Sequence, residues 1–282
     1  MVLKQLLGVG VDYLVREDNF YHIFCSEQIS RIIEDRFRHF GINLVMGRGV
    51  QSLHKHDTGR VAAVVDTQGG SYECDLVVRA IGVDPRIEFL QDSGIETATG
   101  VVVDPSMRNA AEDVWAAGDC AQVKFPGVDR AIIQKLWYTA QPQGWIAGEN
   151  MAGGNARYEL PPMYQAAMFM DLDFTSYGQM PAPWNDYEQQ TVCAPNDEDA
   201  LMVVHDGSQV VGCSFLGRAL TKEDLEYIVQ TGMKPGEALE RAERVFGARR
   251  KDRAPLPRIA PRRRLSRRPY FWPFGTKKTW RN

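Results

Sequence analysis

The chain of 282 residues is 44% hydrophobic and 24% charged, which is typical of globular proteins and is long enough for about two domains. It has no uninterrupted apolar run of about 18 residues, which excludes a bilayer-spanning helix, and its five scattered cysteines form no CxxC pair, which disfavours a redox dithiol, a zinc knuckle or a secreted disulfide framework. Thirteen Lys or Arg and one acid give residues 249–282 a charge of +12, so the total of −3 leaves −15 for residues 1–248.

The first part of the chain predicts strands alternating with one helix. Residues 2–7 have the pattern of a helix end, and "VDYLVRED" is typical of a strand. In "SEQISRIIEDRFRHFGI", Ser26 caps a helix with an apolar stripe that ends at Gly41. The short apolar segment "NLVMG" then predicts a buried strand.

The next segments predict further strands of an α/β domain. The segment "RVAAVVDTQGGSYECDLVVRAIG" predicts a hairpin that turns at 68–70. Its last part, at "LVV", predicts another buried strand. "GVVVDPSM" adds one strand, and Val114 to Ala117 adds another that stops at Gly118. Asp119 is therefore predicted beyond the carboxyl end of a strand, where open α/β sheets bind their ligands.

The second half predicts a helix and then a small α+β domain. "QPQGWIAGENMAGG" indicates a helix with Pro142 in its first turn, where a missing N–H is tolerated. Proline-rich "YELPPMY" marks a boundary near residue 160. Three apolar alternating segments and the helix "TKEDLEYIVQTG" follow, with a hairpin turn at Asp206–Gly207. Proline and arginine dominate from about residue 249.

Two segments in this order resemble a known family. "RAIGVDPRIEFLQDSGIE" holds Ala80, Gly82 and Pro85 as A-x-G-x-x-P, and about thirty residues later "MRNAAEDVWAAGDCAQV" is followed by "LWYTAQPQGWIAGENMAGG". Together they resemble the C-terminal half of the FAD-dependent pyridine nucleotide–disulfide oxidoreductases, which include ferredoxin, rubredoxin and nitrite reductases. The resemblance covers roughly residues 1–220. The alternative is an ordinary strand end with Asp119 as a turn residue.

The resemblance implies an α/β fold made of incomplete Rossmann-like segments. Residues 1–85 would be a partial NAD(P)-binding domain, and 86–158 the C-terminal part of an FAD-binding domain. Residues 159–235 would form a small α+β interface domain, and 236–282 a helix with a basic tail.

The resemblance also implies a flavin site. The carboxylate matching Asp119, freed by Gly118, would accept hydrogen bonds from the ribityl hydroxyls, and a helix from near Gln141 would aim its N-terminus at the flavin and favour the reduced anion. Trp137 and Tyr138 are candidates for the flavin environment, with packing as the alternative. The candidate cofactor residues are Arg16, Glu17, Gly82, Pro85, Gly118, Asp119, Trp137, Gln141 and Gln143.

Nicotinamide nucleotide recognition would depend on the end of "YLVRED". Val15 stands where the family has an acid, Arg16 favours the extra phosphate of NADPH, and Glu17 favours the ribose of NADH. The alternative is a solvated strand end. No metal site is predicted, because His54 and His56 have no further ligands in view, and Cys120 is interpreted as a packed thiol.

The family's two G-x-G-x-x-G phosphate loops have only false matches in this sequence. "GVGVDY" at Gly8 precedes a strand, and "GRGVQS" at Gly47 leads from one strand into another, whereas such a loop binds phosphate only between strand and helix. The leading hypothesis is a portion or subunit of an FAD-dependent NAD(P)H oxidoreductase. It would pass hydride from NAD(P)H to FAD and electrons to a redox-protein acceptor, with the phosphate loops supplied by a partner chain.

Two other functions stay open: a non-catalytic assembly subunit with a degenerate flavoprotein fold, and an α/β domain that binds another nucleotide. The tail from residue 249 carries five aromatics, and we expect it to dock an acidic partner, a second copy of the chain or a membrane interface, with nucleic acid disfavoured by the acidic body. A cytoplasmic location is expected from the cysteine usage.

Overall fold

The computed structural model describes residues 8–127, 131–181, 186–194 and 198–246. The helix end predicted at 2–7 and the basic tail predicted from residue 249 lie outside the described residues. Three hydrophobic cores organise the described chain, two on the faces of a five-stranded sheet and one beneath a small three-stranded sheet.

A parallel strand pair and its crossover helix open the fold. Strand β1 (Val11–Leu14) pairs in parallel with β2 (Ile42–Val45), and α1 (Glu27–His39) connects them. The Ser26 hydroxyl caps α1 by accepting a hydrogen bond from the Ile29 N–H at 3.4 Å. Gly41 follows the helix with a φ of 70°, a conformation that suits glycine. The predicted helix and its apolar stripe are confirmed.

A five-stranded antiparallel sheet forms the centre of the second half. Its strands are β9 (Tyr164–Phe169), β10 (Leu172–Gly178), β11 (Glu188–Cys193), β12 (Ala200–His205) and β13 (Val210–Leu216). They lie side by side in the order β11–β12–β13–β10–β9. The predicted turn joins β12 to β13, where Gly207 has a φ of 92° and Asp206 Oδ1 accepts from the backbone N–H of Ser208 and Gln209. The helices α3 (Lys222–Gln230) and α4 (Pro235–Val245) follow.

Helices cover both faces of this sheet. On one face, Phe37 of α1 is fully buried and meets Phe20 and Phe169 edge-on, with ring centroids 5.1 and 6.2 Å away. On the other face, α3 and α4 bury small and branched apolar side chains against β12 and β13. The sheet therefore connects the first helix of the described residues to their last two helices.

A three-stranded antiparallel sheet contains the predicted hairpin. It consists of β3 (Val50–Lys55), β4 (Val61–Asp66) and β5 (Ser71–Glu73). Burial of the Asp66 carboxylate alone would raise its pKa, but hydrogen bonds from the backbone N–H groups of Gln68 and Gly70, then from Tyr72, outweigh burial and lower the pKa below its usual range. The buried carboxylate thus stabilises the turn between β4 and β5.

The buried strand predicted at "LVV" is wrong. Residues 76–80 form no strand, and the side chains of Leu76, Val78 and Ile81 are 66%, 67% and 78% exposed. The apolar sequence has strand propensity, but a buried strand also needs a neighbouring strand and a cover on both faces. Within the described ranges, no strand pairs with this segment.

The third core lies under a small sheet of β6 (Val101–Val103), β7 (Ala121–Val123) and β8 (Ile132–Ile133), in which β6 and β7 are parallel. Ala147 of α2 (Trp137–Met151) packs in this core with Met107 of the loop after β6. Within the described residues, no helix combines the length and apolarity needed to cross a bilayer.

The Phe37→Ala substitution tests the packing of α1 on the sheet. We expect the free energy of unfolding to fall by about 3–5 kcal/mol, because a fully buried ring is replaced by a cavity. Chemical denaturation measures this. Phe89→Ala is the matched control, since Phe89 is 79% exposed and its loss should change stability by less than about 0.5 kcal/mol. Equal effects of the two substitutions would contradict this packing.

Candidate functional site

The Asp119 carboxylate lies in a tight turn and is open to solvent. Residues Gly118–Cys120 form one turn of 3-10 helix, and Gly118 has a φ of 79°, which a residue with a side chain rarely adopts. Among the described residues, the Asp119 carboxylate has no hydrogen-bond or ion-pair partner. An exposed acceptor on a well-defined turn is available to a ligand with hydroxyl groups.

The predicted position of Asp119 after a strand needs correction. Residues 114–117 make no strand; only Trp115 forms an isolated bridge, to Arg108. The strand in this region is β7, which starts at Ala121, so Asp119 precedes its amino end. The reason is pairing: residues 121–123 align with β6, whereas 114–117 bond to the loop after β6, through the two backbone hydrogen bonds of the Arg108–Trp115 bridge.

The turn packs closely against the start of β6. A Cβ placed on Gly100 would lie 2.6 Å from the carbonyl oxygen of Cys120, so only glycine fits there. The Gly100 N–H donates to Gln122 Oε1 at 3.1 Å. The amino ends of β6 and β7 therefore meet beside Asp119.

Helix α2 begins earlier than predicted. It starts at Trp137 instead of near Gln141, so Pro142 is inside the helix and Gln141 is an exposed residue of its second turn. Pro142 has no N–H, so the helix loses one backbone hydrogen bond at this position. The helix continues on both sides of Pro142 and tolerates this loss. The end of α2 that carries unpaired N–H groups is thus at Trp137 and Tyr138, and no side chain caps it.

Trp137 and Tyr138 are both exposed at this helix start. Their rings are perpendicular, with centroids 5.5 Å apart, and Tyr138 also contacts Tyr164 of β9 at 4.7 Å. Trp137 is 66% exposed and is not part of the three hydrophobic cores. The exposed indole face is available for stacking against a planar ligand.

Gln143 links α2 to the Asp119 turn. Its side chain is fully buried, and its Oε1 accepts a hydrogen bond from the Gly118 N–H at 2.8 Å. Gln143 Nε2 faces Gln134 Oε1 at 3.4 Å, and the Tyr158 hydroxyl donates to the same Gln134 oxygen at 2.8 Å. Gln134 and Tyr158 are absent from the candidates predicted from sequence, and no motif marks them.

Gly82 and Pro85 line a separate cleft of about 480 Å³. Lys135, two residues before α2, shares this cleft; its Nζ donates to the Val83 carbonyl and lies 3.5 Å from Asp84 Oδ1. This contact connects the A-x-G-x-x-P segment to the start of α2. The candidate residues therefore fall into two groups. Gly82 and Pro85 lie near the start of α2, and Gly118 is hydrogen-bonded to Gln143.

Arg16 and Glu17 lie apart from these groups, after the carboxyl end of β1. Their side chains form an ion pair at 2.7 Å, and the Arg16 hydrogen bond holds the pKa of Glu17 below its usual range. The Glu17 carbonyl accepts from the Gly47 N–H at 3.0 Å, which places the pair beside the end of β2. The two charges largely neutralise each other in this position.

The remaining candidates have no further ligands around them. His54 and His56 are exposed in and after β3, and the described part of the chain contains no group of three or more His, Cys, Asp or Glu side chains that could hold a metal ion. Cys120 is half-buried, with its Sγ 3.5 Å from the Ala117 carbonyl oxygen.

The two parallel strand pairs of the described chain, the first joined by a crossover helix, and the antiparallel sheets define a mixed α/β protein. The family model of the pyridine nucleotide-disulphide oxidoreductases matches residues 1–144. The chain therefore belongs to this family, as the resemblance indicates. The enzymes of this family use FAD and NAD(P)H.

Two known proteins show the extent of the sequence similarity. The chain is 28% identical over 173 residues to an NAD(P)H sulfur oxidoreductase (CoA-dependent) of Pyrococcus furiosus, covering 61% of this chain and 38% of that protein. It is 33% identical over 102 residues to a rubredoxin-NAD(+) reductase of Alcanivorax borkumensis, covering 36% of this chain and 26% of that protein. The chain thus spans well under half the length of these relatives.

The fold agrees with a solved reductase. A ferredoxin reductase from Rhodopseudomonas palustris superposes with a TM-score of 0.71 at 20% identity, covering 83% of this chain and 57% of that chain. At this identity the match shows the fold alone. It confirms the mixed α/β architecture.

The Gly118→Ala substitution tests the geometry of the turn. We expect the free energy of unfolding to fall by about 1–2 kcal/mol, because a side chain disfavours a φ of 79° even where the space would admit a methyl group. Gly144→Ala in α2 is the matched control; nothing lies within 4 Å of the place its Cβ would take, and alanine should stabilise a helix by up to about 1 kcal/mol. Thermal or chemical denaturation compares the two variants. An unchanged free energy of unfolding in Gly118→Ala would contradict the positive φ of Gly118 in this turn.

Proposed function

We propose that this chain is the part of an FAD-dependent NAD(P)H oxidoreductase that binds the ribityl chain and the ring of the flavin. Its chemistry is hydride transfer from NAD(P)H to FAD, followed by electron transfer to an acceptor. The single observation that carries the proposal is the unpartnered, exposed carboxylate of Asp119 on the Gly118 turn, within the part of the chain that the structure describes. Membership of the family supports the same chemistry.

Asp119 is proposed to hold the ribityl chain. Ribityl hydroxyls are donors that need acceptors, and a carboxylate gives hydrogen bonds roughly twice as strong as a neutral acceptor. The carboxylate fits this group because the turn leaves it exposed and without a competing cation among the described residues. Asp119 would therefore orient the flavin by binding it on the ribityl side.

The N-terminus of α2 is proposed to face the flavin. Its first N–H groups, at Trp137 and Tyr138, have no side-chain cap, and the helix dipole places partial positive charge there. Reduction of a flavin adds negative charge, which this end of the helix would stabilise. The helix start predicted near Gln141 to face the flavin is therefore the first turn of α2. Gly82 and Pro85, in the cleft that Lys135 also lines, would border the flavin site.

The phosphate groups are proposed to bind elsewhere. Residues 47–50 run from β2 into β3, and residues 8–10 precede β1, so neither glycine pattern lies between a strand and a helix. The described chain therefore holds no phosphate loop of the family type. We propose that another polypeptide supplies the loops for FAD and NAD(P)H.

The Arg16–Glu17 pair is proposed to contact the adenosine ribose of the nicotinamide nucleotide. Its place after the carboxyl end of β1 supports this, since ligands of open α/β sheets bind at such ends. Arg16 would suit the phosphate of NADPH and Glu17 the ribose of NADH. A small redox protein is the proposed electron acceptor, by analogy with the rubredoxin reductase relative.

A second function, assembly without catalysis, is favoured by one observation. Leu76, Val78 and Ile81 form an exposed apolar segment, and such segments mark interaction sites. In this alternative the degenerate fold binds a partner chain or a second copy, and the tail from residue 249 adds a docking contact. The cytoplasmic location stays a prediction.

The test is a visible spectrum of the complex isolated from its native source, with the co-purifying chains identified by mass spectrometry. We expect flavin bands at about 370 and about 450 nm and a partner that carries the glycine loops. Asp119→Ala should weaken flavin binding about tenfold or more, because charge-assisted hydrogen bonds are lost.

Glu112→Gln is the control for this experiment, because Glu112 is exposed in the same loop region but outside the turn. It should leave the flavin content unchanged. A colourless complex would contradict the oxidoreductase proposal and support assembly. An Asp119→Ala complex that keeps its flavin at wild-type affinity would contradict the role of Asp119 in holding the ribityl chain.

A further inference from the structure

A buried amide side chain stands behind the candidate flavin turn. Gln143 is the only polar residue among the largest fully buried side chains of the described chain. Burying an amide costs free energy unless its oxygen and its NH₂ group find partners. Its partners therefore reveal why this residue type occupies the core at this point.

The hydrogen-bond directions around Gln143 are fixed by chemistry. The Gly118 N–H can only donate, so the atom it meets at 2.8 Å must be the Gln143 oxygen. The Gln143 NH₂ group then faces Gln134 Oε1 at 3.4 Å. The Tyr158 hydroxyl donates to the same oxygen at 2.8 Å, so each acceptor in this series of contacts has a donor.

The far end of this series of hydrogen bonds is anchored to the backbone. Tyr158 is 4% exposed, and its N–H donates to the Pro105 carbonyl at 2.6 Å. Asn150 of α2 bonds both the N–H and the carbonyl of Ala156, at 2.7 and 2.9 Å, and donates to the Ser106 carbonyl at 2.8 Å. The segment that carries Tyr158 is thus fixed to α2 and to the loop after β6.

We propose that Gln143, supported by Gln134 and Tyr158, is a positioning residue that fixes the Gly118 backbone and thereby the direction of the Asp119 carboxylate. Glycine at a φ of 79° has many alternative conformations, and the hydrogen bond from its N–H selects one of them. Asp119 is the next residue in the chain, so the direction of its side chain depends on which backbone conformation Gly118 adopts. This inference rests on the proposed role of Asp119 in flavin binding.

Gln143 acts through the turn and not on the flavin. Its side chain is fully buried and its oxygen is occupied by Gly118. A merely structural role would lower the stability of the whole domain. A positioning role changes the turn and the flavin affinity while the rest of the fold keeps its protection.

The test uses Gln143→Met in the native complex, because methionine has a similar volume but offers only a weak sulfur acceptor in place of the amide oxygen. The first readout is backbone hydrogen exchange at Gly118, which needs no flavin. We expect exchange there to become about tenfold faster, while Leu201 in the buried strand β12 exchanges as in the wild type. The second readout is the flavin dissociation constant, which should rise about tenfold.

Two further variants sharpen the result. Tyr158→Phe removes only the outer hydroxyl and should produce a smaller change of the same kind, so it serves where Gln143→Met does not fold. Gln91→Met, at an exposed glutamine outside the network, is the control and should change neither readout.

Each outcome decides the inference. Faster exchange at Gly118 with weaker flavin binding and an unchanged Leu201 supports it. Equal acceleration at Gly118 and Leu201 overturns it in favour of a structural role. Equal flavin affinity in wild type and Gln143→Met overturns the inference but leaves the proposed function standing, whereas a wild-type complex without flavin overturns both.

Discussion

The hydrogen bond between the Gly118 N–H and Gln143 Oε1 is the constraint on which the candidate site depends. A buried amide and a backbone N–H satisfy each other, and neither can be removed without leaving an unpaired polar group in the core. The helix α2, the Asp119 turn and the segment around Tyr158 are therefore locked in one arrangement. The short strands β6 and β7 could not define the turn alone, since each has only three residues.

The parts of the fold that follow from sequence are those whose signals are local. Ser26 and Gly41 mark the ends of α1, and the Asp206–Gly207 turn marks the β12–β13 hairpin, so these elements are predictable from caps and turn residues. Strand β9 follows the boundary at Pro161–Pro162, but it is not among the predicted strands, because its segment holds two alanines, which are depleted in strands. The segments at 76–80 and 114–117 have strand propensity, yet strand formation requires a pairing partner that no local pattern can reveal.

The candidate site, like the fold, is only partly predictable from the sequence. The Gly-Asp pair at 118–119 identifies the exposed carboxylate, although the sequence places the strand beside it on the wrong side. The sequence also misplaces the start of α2, because Pro142 resembles a first-turn proline, whereas the structure accepts it inside the helix. The Gln134–Tyr158 contact spans 24 residues and the Gly118–Gln143 contact 25, so tertiary packing alone brings them together.

The two proposed functions would use adjoining surfaces of the described chain. The Gly82–Pro85 cleft continues directly from the exposed apolar segment that contains Leu76 and Ile81, and Ile81 lines the cleft itself. Lys135 then connects this cleft to the start of α2, where Trp137 and Tyr138 are also exposed. A chain that covered the apolar segment would therefore also close the cleft beside the helix start. The proposed assembly contact and the proposed flavin site would therefore share one continuous surface, because excluding water from the apolar side chains would also exclude it from the adjoining cleft.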